Sequence, residues 1–238
     1  FLHKYYEVID GYIYALGSEV PAGGSYEITF ASQEGLQGSM LTLGDTNIPT
    51  TVYCLVETWK GLPDQAFDRA KEVLLSVSDH MSDKDKMIIT TYGDEITESA
   101  ILKNSTARKK AIESLGKKGE ARPFYEAVNF ALNSLSTKKG ITENKCLIIL
   151  SDGHDETSKS TTEAMVLDLI KDTTIPVYGV ATLKDTPEAI TLEYVDSITR
   201  LSKTSVGGKD YNTSKKGTAA NQIGLNIWKS IQNSAVIG

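Results

Sequence analysis

The sequence predicts an α/β protein with a doubly wound, mainly parallel central sheet and helices on both faces. Three observations point there. From residue 50 onward, strand-like and helix-like stretches alternate to the end of the chain, the order that builds a parallel sheet. Two strand-like runs, Thr51–Val56 and Cys146–Leu150, are almost wholly apolar, as strands covered on both faces are. The stretches between strands carry apolar residues at i, i+3 and i+4, the spacing of a helix with one buried side.

Residues 1–49 have a different texture, rich in Gly, Tyr, Ser and Thr, and form a β-rich N-terminal extension. Tyr12–Ala15, Tyr26–Phe30 and Met40–Leu43 read as two or three short antiparallel strands. Turn residues at Pro21–Gly24 and Gly44–Asn47 separate them. Residues 50–238 form the main unit. Its first strand, Thr51–Val56, leads to a helix over Asp64–His80, with Phe67, Ala70, Val73, Leu74 and Val77 on one side. Lys86–Tyr92 is the next strand, and the tight turn Gly93-Asp94-Glu95 returns an antiparallel one over Ile96–Leu102. Ser105 caps a helix that Gly116 stops. Pro123 opens another, ending at Leu135, at a position where its missing N–H costs nothing. Cys146–Leu150, Ile175–Ala181 and Lys209–Tyr211 complete the strands. Helices over Ser160–Lys171, Pro187–Lys203 and Thr218–Gln232 complete the alternation.

The chain has 238 residues, ample for one α/β domain with an appendage, and a formal net charge of −6. That charge argues against nucleic acid and anionic membrane as partners. No apolar run approaches the roughly 20 residues of a spanning helix. Cys54 and Cys146 lie in apolar strands and read as core thiols. The chain begins at Phe1 with no Met and no signal pattern, and reads as part of a longer polypeptide.

Ligands of doubly wound sheets bind at the carboxyl ends of strands, where the strand order reverses. Two central strands end in a carboxylate: Val56 leads to Glu57 and Ser151 to Asp152. A third loop, Gly119-Glu120-Ala121-Arg122-Pro123, enters a helix. The three converge on one edge, with Trp59, Lys60 and His154 beside them.

The segment from about Thr50 to Trp228 resembles a von Willebrand factor type A (VWA) domain. The resemblance rests on Val52-Tyr53-Cys54-Leu55-Val56-Glu57-Thr58, Ile88–Tyr92, Pro123-Phe124-Tyr125-Glu126-Ala127-Val128, Leu147–Asp155 and Ile175–Val180. It implies a Rossmann-like fold and a non-catalytic module for protein binding, adhesion or assembly. The family usually carries a metal-ion-dependent adhesion site, with Asp-x-Ser-x-Ser in its first loop, a Thr in its second and an Asp in its third. Hydroxyls and carboxylate-held waters there surround Mg²⁺ or Mn²⁺, and an acidic group of the partner completes the shell.

Carried over residue by residue, the match breaks down. The first Asp falls on Glu57, the two Ser positions on Trp59 and Gly61, and the Thr on Arg122 when Phe124–Ala127 is aligned with the family's helix start. The third-loop Asp alone is kept, as Asp152. The site is degenerate, and no metal cofactor is expected. The guanidinium of Arg122 takes roughly the ion's place between Glu57 and Asp152, and Trp59 covers it. The alternatives are an Arg122 that points into solvent, and a weak Mg or Mn site built from Glu57, Asp152 and waters.

Other features carry less. Ser151–Glu156 is acid-rich but reads as a helix-entry turn, and His154 lacks a G-x-S-x-G nucleophile, so no enzyme chemistry is assigned. Gly207-Gly208-Lys209 lacks the phosphate-loop pattern. The Lys pairs at 117–118, 138–139 and 215–216 read as solvated surface, and the glycosylation-like triplets at Asn104 and Asn212 are short enough to arise by chance. The expectation is therefore a protein-binding module whose contact face is Glu57, Trp59, Lys60, Arg122, Asp152 and His154, with a partner of unknown identity. Family habit favours an extracellular or cell-surface setting over a cytoplasmic one. A structural subunit that binds through another face is the remaining alternative.

Overall fold

A computed structural model describes residues 49–137, 144–173 and 175–232, together with short strands at 6–9, 12–15, 25–27, 40–42 and 236–237. In chain order the elements are β1 (Tyr6–Ile9), β2 (Tyr12–Ala15), β3 (Ser25–Glu27), β4 (Met40–Thr42), β5 (Thr50–Glu57), α1 (Asp64–His80), β6 (Lys86–Tyr92), β7 (Ile96–Glu98), α2 (Ser105–Glu113), α3 (Phe124–Thr137), β8 (Asn144–Ser151), α4 (Glu163–Lys171), β9 (Val177–Ala181), α5 (Ala189–Thr204), β10 (Lys209–Asn212), α6 (Ala220–Gln232) and β11 (Val236–Ile237).

The main sheet runs β10-β9-β8-β5-β6-β7 and is parallel except for β7, which pairs antiparallel with β6. Side chains alternate across the sheet, so each strand feeds two cores. Val52, Cys54 and Val56 of β5 face one cluster, where α1 and α6 pack together over them. Tyr53 and Leu55 face the other, under α3, with Val166, Ile170, Ile198 and Leu201 from α4 and α5. Both cysteines are buried free thiols, and burial raises the pKa of each. The chain leaves β5 for α1 on one face and β8 for α4 on the other. The strand order therefore reverses between β5 and β8, which opens a crevice at their carboxyl ends.

The expected extension is represented by β1–β2 and β3–β4, each an antiparallel pair, and β11 adds antiparallel to β2. The turns expected at 21–24 and 44–47, the ends of two expected strands at 28–30 and 43, and Lys138-Lys139 lie outside the described residues.

Several expected elements differ in detail: α2 ends at Glu113 with Ser114 as its C-cap rather than at Gly116, and β9, α5 and α6 each start two residues later than expected. α2 is capped by Asn104, whose side chain accepts from Ala107 N at 2.9 Å, and not by Ser105. Asn and Ser cap about equally well, and the chain enters the helix so that Ser105 falls into the first turn. The expected strand Ile96–Leu102 forms only over Ile96–Glu98, with one further bridge between Met87 and Leu102. α4 begins after Thr162, because Lys159 N and Ser160 N donate instead to the Glu126 carboxylate of α3.

Candidate functional site

Register places three polar side chains in a row across the carboxyl edge of the sheet. Glu57 pairs with Tyr92, and Ser151 follows Leu150, the partner of Val56. All three share the parity of the α3-side core, where Tyr53, Leu55, Ile88, Leu147 and Ile149 lie. They are linked: Tyr92 OH donates to Ser151 Oγ at 2.8 Å, and Ser151 Oγ donates to Glu57 Oε2 at 2.8 Å.

Arg122 enters this row from the N-terminal approach to α3. Its backbone is clamped from both sides. Arg122 N donates to Thr157 Oγ1 at 2.9 Å, and its carbonyl accepts from Glu156 N at 3.0 Å. The side chain is buried, and each of its three nitrogens has a partner. Nε donates to Glu57 Oε1 at 2.8 Å, and Nη2 lies 2.7 Å from the same oxygen. Nη2 also donates to Asp152 Oδ1, and Nη1 donates to His154 Nδ1 at 2.5 Å. The guanidinium carbon lies 4.3 Å from the centre of the Trp59 ring.

The structure thus brings Glu57, Trp59, Arg122, Asp152 and His154 together. Lys60 stands apart. Its ammonium pairs with Glu120 at 2.9 Å, with both side chains more than 60% exposed, a surface pair of little energetic weight. Thr58 turns away from the cluster, and its hydroxyl donates to the Tyr92 carbonyl at 2.8 Å.

Gly61 has a packing role. A Cβ there would sit 2.2 Å from the Trp59 ring. The indole lies back over the glycine and forward against Arg122, so the Trp59-x-Gly61 spacing is one packing unit.

Only donors surround Glu57. Arg122 Nε and Nη2 serve one oxygen, and Ser151 Oγ and Asp152 N, at 3.2 Å, serve the other. Above pH 7 this arrangement serves a carboxylate. Burial raises its pKa to about 7, the Asp152 charge adds to the rise, and the Arg122 charge opposes it. The paired carboxylates hold the guanidinium charged, against the cost of its burial. His154 is shifted down, by burial first and then by the Arg122 charge. Because Arg122 can only donate, Nδ1 of His154 accepts and the ring proton sits on Nε2. The imidazole stacks on Tyr194 of α5, with centroids 3.9 Å apart and planes 8° from parallel.

Beside the cluster a cleft of about 290 Å³ opens between the Trp59–Pro63 loop and the start of α5. Arg122, Asp152 and His154 form its floor, and Leu183, Ile190 and Tyr194 stand in its far wall. That wall is fastened to α1. Arg69 Nη1 donates to the Leu183 carbonyl at 2.8 Å, and Gln65 Oε1 accepts from Asp185 N at 2.8 Å.

Sequence reasoning missed Tyr92, Ser151 and the whole α5 wall. Ser151 and Tyr92 carry a usable signal, since each is a polar strand-end residue in phase with the inward-facing apolar positions. Tyr194 carries none, because its neighbours come from distant segments.

The VWA domain family matches residues 52–213, about two thirds of the chain. No curated protein matches by sequence. Among solved structures, an aerotolerance-related membrane protein from Bacteroides fragilis is similar at 15% identity and a TM-score of 0.59, over 76% of this chain and 98% of its own. The conserved hypothetical protein BatB from Bacteroides thetaiotaomicron is similar at 16% identity and a TM-score of 0.55, over 76% and 98%. A von Willebrand factor type A protein from Catenulispora acidiphila is similar at 15% identity and a TM-score of 0.57, over 95% of this chain and 52% of that one. At these identities the structures speak for the fold alone. With the family match over most of the main sheet, its strand order and its helices on both faces, the chain belongs to the von Willebrand factor type A domain family.

Proposed function

We propose that this chain is a non-catalytic protein-binding module, of the adhesion or assembly kind, that works without a divalent cation. The carrying observation is the position of Arg122: its guanidinium lies between Glu57 and Asp152 at the switch point of the sheet. A six-coordinate Mg²⁺ or Mn²⁺ requires oxygen ligands in near-octahedral array. The residues here do not suit one. The family's three hydroxyl positions hold Trp59, Gly61 and Arg122, and both carboxylates already bind a cation that belongs to the chain.

The contact face of this reading is the edge formed by Trp59, Lys60, Asp152 and His154, with the adjoining cleft, while Glu57 and Arg122, expected on that face, are 1% and 3% exposed and support it from beneath. An internal cation keeps the loops in place at all times, so partner binding does not wait on metal. Among the described residues no helix is long and apolar enough to cross a membrane. An extracellular or cell-surface setting accords with the description of the Bacteroides fragilis structure as a membrane protein. Residues 1–49 serve in this reading as a β-rich extension, with the binding unit at 50–238.

The test uses a photo-crosslinking residue at Lys60, introduced in the source cells, with the same residue at Lys86 at the opposite end of the sheet as control. The expected result is a specific partner captured at Lys60 alone. Once purified, it binds the chain equally in Mg²⁺ and in EDTA. Capture at Lys86 and not at Lys60 would overturn the contact face. Binding that requires Mg²⁺ would overturn metal independence.

A further inference from the structure

We infer that a groove between α2 and the β6–β7 edge of the sheet receives an acidic segment, carrying Glu or Asp, of a protein partner. This goes beyond the contact face proposed above, none of whose residues lines the groove.

The groove has a volume of about 440 Å³. Strand register builds its floor. Thr91 of β6 pairs with Thr97 of β7, and Ser99 N donates to the Ile89 carbonyl at 2.8 Å, so these four side chains share one face of the sheet. Ala111, Ser114 and Leu115 form the wall on the α2 side, and Gly116, Lys117 and Lys118 close one end.

Charge selects the occupant. The charged residues that line the groove are Lys117 and Lys118, both positive. Lys117 is engaged within the fold: Nζ donates to the Leu62 carbonyl at 2.8 Å and pairs with Asp64. Lys118 is exposed, and its ammonium has no partner among the described residues. Its backbone N donates to the Thr58 carbonyl, which fixes the root of the side chain. Lys110 is likewise exposed and without an ion-pair partner among the described residues, and it stands one turn before Ser114 on the same side of α2.

The nearby acids turn elsewhere. Glu113, the one acid of α2, lies 4.0 Å from Lys109. Asp94 and Glu95 of the β6–β7 turn do not line the groove. Glu98 accepts from Tyr53 and Ser134 on the opposite face of the sheet. Carbonyls at the end of a helix repel an anion. Here Lys71 Nζ already donates to those of Glu113 and Leu115, at 3.1 and 3.3 Å.

The floor adds neutral donors. Ser99 and Ser114 spend their hydroxyls on the Ala100 and Ala111 carbonyls, whereas those of Thr91 and Thr97 bond nothing among the described residues. Ile89, Ala111 and Leu115 give the groove an apolar side, which suits a peptide with an aliphatic residue beside its carboxylates. The net charge of −6 disfavours a polyanion such as nucleic acid.

The test uses the intact chain in low-salt buffer at neutral pH. Capped peptides Gly-Glu-Leu-Glu-Gly, Gly-Gln-Leu-Gln-Gly and Gly-Lys-Leu-Lys-Gly are titrated while NMR follows the methyl signals of Ile89, Thr97 and Ala111. The expected result is saturable binding of the glutamate peptide, with shifts centred on those residues. The other two should bind about tenfold more weakly or not at all. Added salt should weaken the glutamate peptide, since exposed ammonium groups supply the attraction.

Lys118→Glu changes a side chain that bonds nothing in the fold and should weaken the glutamate peptide about tenfold. Adding Lys110→Glu should abolish its binding. Lys229→Glu, the same charge change on α6, should leave it unchanged. Equal binding of the three peptides, shifts remote from the groove, or undiminished binding to Lys118→Glu would overturn the inference. So would a short single-stranded oligonucleotide that binds more tightly with the same shifts, which would make the occupant a nucleic acid. Groove shifts on dilution of the chain alone would assign the groove to a second copy and overturn it too. Capture of a partner at Lys60 reads a separate edge, so the module reading stands or falls independently of these outcomes.

Discussion

Arg122 and Trp59 hold each other in place: the guanidinium carbon lies 4.3 Å from the indole centre, and the indole fills the space that Gly61 leaves open. A charge buried against a ring, with carboxylates on its other edges, is a fixed structural element.

Removing the cation should be expensive. Arg122→Ala leaves Glu57 and Asp152 facing each other, buried and unpaired, at an expected cost of about 3–5 kcal/mol by chemical denaturation. The combined Glu57→Gln, Arg122→Met, Asp152→Asn variant removes all three charges and should recover most of that loss. Equal stability of wild type and Arg122→Ala would show that the pair contributes nothing.

Gly61→Ala should displace the indole. A methyl 2.2 Å from the ring cannot coexist with the present position of Trp59. The expected outcome is red-shifted tryptophan emission over a constant background from buried Trp228, and a loss of about 0.5–2 kcal/mol from the broken ring–cation contact. An unchanged emission spectrum would place the indole elsewhere.

Gly153 tests the other side of the cleft. It has φ +86°, and a Cβ there would lie 2.3 Å from the Tyr194 carbonyl. Gly153→Ala should cost about 1–3 kcal/mol and separate His154 from Tyr194, read as loss of ring-current shifts on the imidazole. Retention of those shifts would mean that the stack does not depend on this close approach.

Glu57 makes stability depend on pH in an unusual direction. Burial raises it to about 7 from an ordinary 4.5, so between those values the folded chain holds a proton that the unfolded chain releases. Its contribution is complete below 4.5 and is lost as pH rises to about 7. Relative to Glu57→Gln, wild type should lose about 1–3 kcal/mol between pH 4.5 and pH 7.5. Parallel pH profiles for the two proteins would refute this.

His154 should titrate in the opposite sense. Burial and the Arg122 charge hold it below 6.5, so NMR should show a neutral imidazole, protonated on Nε2, at pH 7. Its contribution to stability is present above 6.5 and is lost as pH falls through its lowered folded value. A titration midpoint above 6.5 would show that Nδ1 does not accept from Arg122.

Much of the fold was legible because it is written in local periodicity. The apolar runs that became β5 and β8, and the stripe of Phe67, Ala70, Val73, Leu74 and Val77 that became the buried side of α1, depend only on neighbours in sequence. Element starts were less legible. Asn104 and Ser105 are both capping types, and which one caps α2 depends on where the chain enters the helix. Lys159 and Ser160 gave up the start of a helix to bond Glu126, a partner in another element.

The same division runs through the candidate site. Sequence alone determined that Glu57 and Asp152 stand at the carboxyl ends of the two central strands and that Arg122 stands in the loop before a third element. These are matters of identity and order along the chain. Only the tertiary structure decided which atoms meet. The strand register set Tyr92 and Ser151 beside Glu57, Gly61 admitted the Trp59 ring, and α5 brought Tyr194 to His154. The physical reason is range. Periodicity and capping act over a few residues, whereas each contact of this cluster joins segments that packing of the whole sheet had first to bring together.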